Sequence, residues 1–315
     1  MAQEDGGVLL LRQIDGRQQL AQAIERPSVY LDHCGLRKVS EDPAQARRLT
    51  ELLQARTGTL VISEENLFEF TGLTDVRQGE LADDLMRKLN PRLYLMDVRI
   101  MDVRAREKAL TESGEPPLGA LPCESQRLIE MFGSLLRGNE MLWPEQGFFR
   151  NAASVTDEVR TALAETRRQN AQYFEQMTTR TEREAADERA LRRRHLRMLR
   201  QPGARLPSQS NMLASRLITE YMRLKGPRDP NDATDIAHAC VPAVYCDAVV
   251  LDSKWADLLN RARRRLADEG VRINIARAFP ASPRGLLGLM TYLERDYRHP
   301  VAVPPGIVVE MLSLP

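Results

Sequence analysis

Four carboxylates stand where a strand-and-helix frame can bring side chains to one point. Asp32 closes the apolar run Ser28-Val29-Tyr30-Leu31, and Asp252 closes Asp247-Ala248-Val249-Val250-Leu251. Glu69 follows Leu60-Val61-Ile62-Ser63 by six positions, and Asp235 lies within Asn231-Asp232-Ala233-Thr234-Asp235-Ile236-Ala237-His238. A carboxylate at the end of a buried strand is costly unless a cation meets it. Several converging on one point make a site for a hard divalent cation, because oxygen ligands suit Mg²⁺ and Mn²⁺. Such an ion lowers the pKa of a bound water and stabilises charge on a leaving oxygen. The chemistry this set could do is hydrolysis of a phosphodiester.

Other residues near the four read two ways. Asp247 is either a fifth ligand or a loop residue, and Asp232 reads as a loop acid. His33 and His238 each neighbour a candidate acid, so each either positions a phosphate or packs beside it. Arg37 and Lys254 lie just beyond Asp32 and Asp252 and could contact phosphate, or be solvated charges. Cys34 beside His33 invites a thiol nucleophile, but the sequence shows no oriented partner for it. Trp255 reads as core, and Arg261, Arg263, Arg264 and Arg265 as a solvated helix face. Other phosphate chemistries lack their motifs. There is no glycine-rich G-x-x-x-x-G-K-[ST] loop, and Asp32-His33-Cys34 is not the Asp-x-Asp of an aspartyl-phosphate enzyme.

Composition narrows the setting. The chain has 315 residues, 43% hydrophobic and 28% charged, enough for one large domain with an insertion or two modest ones. A net charge of +1 excludes a globally basic nucleic-acid binder, so any such contact must be local. Only five of the 45 cationic residues are lysine. Cys34, Cys123, Cys240 and Cys246 lack C-x-x-C zinc spacing and read as reduced thiols. The opening residues carry no charged-then-apolar signal pattern, and no apolar run approaches membrane-spanning length. The expectation is a soluble cytoplasmic protein with no membrane partner.

The elements that must position the acids follow from pattern. Residues 8–26 read as a short apolar start and a polar helix. Strand 28–32, helix 43–56, strand 59–62 and helix 64–71 come next, with Gly58 ending the first helix and Ser63 capping the second. Helix 79–90 stops at Pro91. The near-repeat Leu95-Met96-Asp97-Val98-Arg99 and Ile100-Met101-Asp102-Val103-Arg104 is too short to be a structural repeat. Residues 113–122 read as a loop, 124–138 as a helix and 143–153 as irregular. Residues 156–200, free of Pro and Gly, read as one long polar helix. Its late half is basic and includes Arg193 and Arg197: a solvated insertion packing on a second copy, or an arm along a phosphate backbone. A polar linker at 203–210 precedes helix 211–224, loop 226–234, helix 235–241 ended by Pro242, strand 247–251, helix 253–268, strand 271–276 and helix 283–296. Residues 301–313 form an apolar, Pro-rich tail. Alternating strands and helices imply a parallel sheet covered by helices.

In these segments the chain resembles the PIN-like ribonuclease domain. Val29-Tyr30-Leu31-Asp32 looks like that family's first strand and terminal aspartate. Val61-Ile62-Ser63 with Leu67-Phe68-Glu69-Phe70 looks like its second strand, serine and helix-borne glutamate. Asp235-Ile236-Ala237-His238-Ala239 and Asp247-Ala248-Val249-Val250-Leu251-Asp252 look like its third acid helix and fourth strand. Val250 stands where family members often carry Thr. The resemblance covers about 1–105 and 211–280. It implies a three-layer α/β/α fold in two parts, 1–105 and 211–315, around a mainly helical insertion at 106–210. It also implies an Mg²⁺- or Mn²⁺-dependent endonuclease acting on RNA through Asp32, Glu69, Asp235 and Asp252, as a toxin, a defence effector or an RNA-decay enzyme. The expected partners are RNA, a second copy of the chain through the insertion, and an inhibitory protein. The competing expectation is an inactive PIN-like scaffold that assembles through the insertion.

Overall fold

A computed structural model describes residues 9–14, 17–90, 92–113, 121–125, 127–129, 136–137, 140–141, 143–165, 168, 172, 209–224, 229, 231–271 and 273–298. The long helix expected at 156–200 lies mostly outside these residues, as do Arg193, Arg197 and the tail; residues 157–165 are helical.

The centre is a five-stranded parallel sheet. Its strands are β3 (Ser28–Leu31), β4 (Thr59–Ser63), β5 (Leu93–Met96), β8 (Ala248–Leu251) and β9 (Arg277–Pro280), in spatial order β5-β4-β3-β8-β9. The pairing is parallel throughout, with Tyr30 opposite both Val61 and Val249. β3, β4, β5 and β8 are short, mainly apolar runs buried along their whole length because both faces are covered, while β9 begins at the exposed Arg277. Side chains alternate between the two faces. Tyr30, Val61, Tyr94 and Val249 join one core with α7 (Gln209–Met222), α8 (Asp232–Tyr245) and α9 (Ser253–Asp268). Val29, Leu31, Leu60, Ile62, Leu95 and Val250 join the other with α1 (His33–Glu41), α2 (Pro43–Ala55), α4 (Val76–Leu89) and α10 (Pro283–Thr291). The architecture is α/β with helices on both faces. Every strand of this sheet comes from the first or last third of the chain. No helix among the described residues is long and apolar enough to cross a membrane.

Local chemistry explains the elements nearest the site. Asp32 caps α1, accepting from the Gly35 amide. Ser63 caps α3 (Glu64–Phe70) in a reciprocal capping box with Asn66, as its sequence predicts. Asp252 caps α9 through the Lys254 and Trp255 amides. Gly35 is required by contact: a Cβ there would meet Val250 Cγ1 at 2.7 Å, so only glycine lets α1 start this close to β8.

Several expectations need correction. The described residues of 8–26 form no helix; β1 (Leu9–Ile14) and β2 (Arg17–Gln22) pair antiparallel, Ile14 opposite Arg17. The missed signal is Asp15-Gly16 between them, a hairpin dipeptide. The last strand is Arg277–Pro280, not 271–276. Val271, Ile273 and Ile275 alternate but face helices without pairing, since burial alone also produces alternation. Helix α8 runs from Asp232 to Tyr245, straight through Pro242. Residues 124–138 are not one helix: Glu124 bridges Met96, and Leu136–Arg137 (β6) pairs with Glu140–Met141 (β7). The segment 143–153 contains α6 (Phe148–Ala153). The near-repeat straddles the end of β5 and the start of α5 (Ile100–Ser113), so its two copies lie on different elements.

Candidate active site

The strand order makes one place special. The chain steps outward from β3 through β4 to β5, then returns on the other side of β3 as β8 and β9. Between β3 and β8 the connections diverge, and in sheets of this kind sites form beyond the carboxyl ends of the strands at such a point. Asp32 follows β3 directly and Asp252 follows β8 directly. The Asp252 amide donates to Asp32 Oδ2 at 2.9 Å, while the Gly35 amide donates to Oδ1 at 2.6 Å. Asp252 Oδ1 accepts from the Lys254 and Trp255 amides at 2.7 and 3.1 Å.

The two helix-borne acids lie close enough to this edge for their charges to be felt there: Glu69 acts on Asp32, and Asp235 feels both Asp252 and Glu69. Trp255 Nε1 donates to Asp235 Oδ2 at 2.9 Å, tying α8 to the start of α9. Glu69 on α3 lies between two imidazoles: His33 Nδ1 is 3.0 Å from Oε1 and His238 Nε2 is 3.2 Å from Oε2. His238 sits one turn beyond Asp235 on α8, on the same helical face. Its Nδ1 is hydrogen-bonded to the Tyr30 hydroxyl, which also meets Ser63 Oγ at 3.0 Å. The structure therefore brings Asp32, Glu69, Asp235 and Asp252 together, with two histidines the sequence left ambiguous.

The electrostatics of the four acids diverge. Burial, and then the charge of Asp252, push the Asp235 carboxyl up to about 7. Burial pushes Asp32 up to about 6, against the Gly35 amide and His238, which pull it down. Burial would also raise Glu69, but His238 and His33 hold it well below the usual carboxylate range. Burial opposes charge on His33, yet its contacts with Cys34 and Glu69 push it up to about 11. Burial likewise opposes charge on His238, and Glu69 outweighs it.

Other candidates lie elsewhere or are engaged. Asp247 precedes β8, so it sits at the opposite edge of the sheet from Asp252. It is bound there by the Arg26 guanidinium, the Ser28 amide at 2.8 Å and hydroxyl at 3.0 Å, and the Tyr297 hydroxyl at 3.3 Å. It is not a fifth ligand; a strand has two ends, and its sequence spacing does not say which end meets the other acids. His238 is 2% exposed, which rules out a surface contact to nucleic acid. Lys254 pairs with buried Asp232, which also accepts from the Tyr221 hydroxyl, and its ammonium lies 5.3 Å from the Tyr221 and Trp255 rings. Asp232 is thus a structural acid rather than a loop one. Arg37 pairs with Glu41 at 3.7 Å. Trp255 is core, 1% exposed.

Sequence reasoning missed two acids at this edge. Asp97 follows β5 and is neutralised by Arg99 and Arg106 at 3.0 and 2.7 Å. Glu65, in the first turn of α3, is pushed up by burial and feels both His238 and Asp97. Their positions just past β5 and β4 were the available signal. Cys34 has an imidazole neighbour but not an oriented one: Sγ is 3.5 Å from His33 Nε2 and 3.8 Å from Nδ1. A sulfur in line with one ring nitrogen would lie about 5 Å from the other, so this thiol sits beside the ring, not in line for proton transfer.

The acids suit a divalent cation in donor type. All four are oxygen donors, and among the described residues no arginine or lysine side chain pairs with Asp32, Asp235 or Asp252. Glu69 Oε2 and His238 Nε2 are buried and pair with each other at 3.2 Å. They are not a closed cage: among the described residues no group of three or more His, Cys, Asp or Glu is arranged to hold a metal. Asp32 spends both oxygens on backbone amides, and Glu69 faces two imidazoles. The donor types fit but the arrangement does not yet: loading would require Glu69 and Asp32 to share or give up oxygens they already use. No family model, curated protein or solved structure matches this chain.

Proposed function

We propose that this edge of the sheet hydrolyses phosphodiester bonds with a divalent cation, Mg²⁺ or Mn²⁺, and that the substrate is RNA. The observation that carries the reading is the pairing of Asp32 and Asp252 at the diverging strands, with the charges of Asp235 and Glu69 felt there. The choice of RNA rests on the resemblance to PIN-like ribonuclease domains.

Asp32, Asp235, Asp252 and Glu69 would hold the ion, which supplies an activated water and charge stabilisation at the leaving oxygen. The chain's own residues set the conditions. The Asp252 amide fixes Asp32, and Trp255 fixes Asp235, so two carboxylates keep their orientation without substrate. Without an ion Asp235 is pushed up to about 7, so a cation bound there would displace its proton near neutral pH. Tyr30 holds His238 and the two imidazoles hold Glu69, so the acid on α3 cannot swing away from this edge.

The test uses purified protein with labelled single-stranded RNA, tRNA and single-stranded DNA, each with Mn²⁺, Mg²⁺ or EDTA, beside Asp32→Asn and Asp252→Asn. Cleavage of RNA that needs the ion and both aspartates supports the reading. Cleavage that survives EDTA, or both substitutions, overturns it. No cleavage of any substrate would favour an assembly scaffold.

A further inference from the structure

An open sheet ends in two strands whose outer N–H and C=O groups pair with another chain unless something meets them. In β9 the register fixes which groups these are. The Arg277 and Ala281 amides donate to the Asp247 and Leu251 carbonyls at 3.0 and 2.6 Å, so residues 277, 279 and 281 turn toward β8 while Ala278 and Pro280 turn outward. Asn260, on α9, reaches Ala278 from the side. Its Nδ2 donates to the Ala278 carbonyl at 2.9 Å, and its Oδ1 accepts from the Ala278 amide at 3.4 Å. A primary amide offers both a donor and an acceptor, so it meets a strand residue as the next strand would. Pro280 has no N–H to offer, and its carbonyl accepts from the Ser282 amide at 2.7 Å. Gly285 lies so close to that carbonyl that a Cβ there would sit 2.0 Å from it. The opposite edge repeats the arrangement. On β5, the Gln22 side chain donates to the Leu95 carbonyl at 3.2 Å and accepts from the Leu95 amide at 2.7 Å. The Asp97 amide beyond it donates to the Cys123 carbonyl at 2.7 Å.

We infer that the Asn260 side chain is a surrogate strand which, with Pro280, keeps a second copy of this chain from pairing on β9, and that Gln22 plays the same part at Leu95. Ala278 and Pro280 are the two outward residues of β9, so with Asn260 in place the strand has no free N–H on that side. Unsealed, the same edge fits one partner by symmetry: β9 of a second copy, antiparallel across a two-fold axis, with the two Ala278 residues exchanging N–H and C=O. A side chain that merely tied α9 to the sheet would need one hydrogen bond. Asn260 makes the two that a strand would make. The inference does not depend on the metal reading. It also means that a second copy can meet this chain only on surfaces other than the β9 edge.

The test is sedimentation velocity of the full chain over a range of concentrations, with amide hydrogen exchange at Ala278. It compares wild type with Asn260→Ala/Pro280→Ala and Asn260→Lys/Pro280→Ala. The alanine variant opens both outward positions and should self-associate at least about tenfold more tightly than wild type. The lysine variant loses the same amide but places a charge on the edge, which keeps strands apart, so it should stay in the wild-type state of association. At low concentration both should exchange the Ala278 amide about five- to tenfold faster than wild type. If the alanine variant does not fold, Asn260→Ser/Pro280→Ala decides by the same readouts, because a serine hydroxyl cannot reach both Ala278 groups. A folded alanine or serine variant that associates no more than wild type overturns the inference, whatever its exchange. So does a lysine variant that associates as strongly as the alanine one, because general loss of stability would then be the cause. Unchanged exchange at Ala278 in both would show that Asn260 never stood in for a strand.

Discussion

Strand β8 carries an aspartate at each end, and the two ends of the sheet treat them oppositely. Asp247, at the amino end, is saturated: a guanidinium, an amide and two hydroxyls reach it. Asp252, at the carboxyl end, receives only amides that cap its own helix. Its neighbours Asp32 and Asp235 are likewise met by N–H donors, and both are pushed up by burial. A carboxylate whose partners are complete holds a fold together. Carboxylates crowded together without a cation destabilise the fold, and such clusters mark functional sites. The same residue type, five positions along the chain, meets two environments: one end of the sheet is filled with partners, while the other gathers carboxylates.

The contrast breaks most visibly in activity. Asp32→Asn should reduce metal-dependent cleavage by about 10³-fold, or ~4 kcal/mol, with the thermal midpoint held or raised. Asp247→Ala should do the reverse. It strands Arg26 and the Ser28 amide, so denaturant unfolding should show a loss of about 3 kcal/mol, while cleavage per folded molecule stays within about twofold. If Asp247→Ala abolished cleavage and left stability intact, the two ends would not be distinct.

How much of this was legible depends on range. Strands 28–31, 59–63 and 248–251 could be read from short apolar runs and the Ser63 cap from residue type, whereas the helix whose sequence opens on Ser253 is capped one residue earlier, by Asp252. Asp32 and Asp252 stood out because a strand-end carboxylate is visible in one dimension, whereas Glu69 and Asp235, which lie within helices, were picked out mainly by the resemblance. The hairpin was missed because a polar arm hid the Asp15-Gly16 signal. The last strand was misplaced because burial produces alternation without pairing. The pairing of Glu69 with His33 and His238 joins residues distant in sequence, so no local pattern encodes it. Asp247 was misassigned because the sequence counts its distance from Asp252 but not that the intervening strand separates them.

The contrast also has a pH signature. Asp235 has its usual value of 3.8 when unfolded and about 7 when folded, so the native state holds this proton more tightly. The associated stability is complete below pH 3.8 and is lost as pH rises through about 7. Asp235→Asn stays neutral throughout. It should therefore be more stable than wild type by about 1–3 kcal/mol at pH 8 and equal to it near pH 4, measured by denaturant melts across that range. A gap that did not change with pH would show that Asp235 is as well compensated as Asp247.

The smallest effect separates the donor from the core around it. Trp255→Phe removes the Nε1–H bond to Asp235 and some packing against Tyr221, whose ring stacks on Trp255 at 5.5 Å. The packing loss is independent of pH. The lost donor matters chiefly to the ionised carboxylate, because a hydrogen bond to the charged form is what lowers its pKa. Trp255→Phe should therefore cost about 1 kcal/mol more at pH 8 than at pH 5. In the Asp235→Asn background that difference should vanish and leave the packing loss alone. If it persisted, the pH dependence would come from another group, and Trp255 would serve the core rather than the acids.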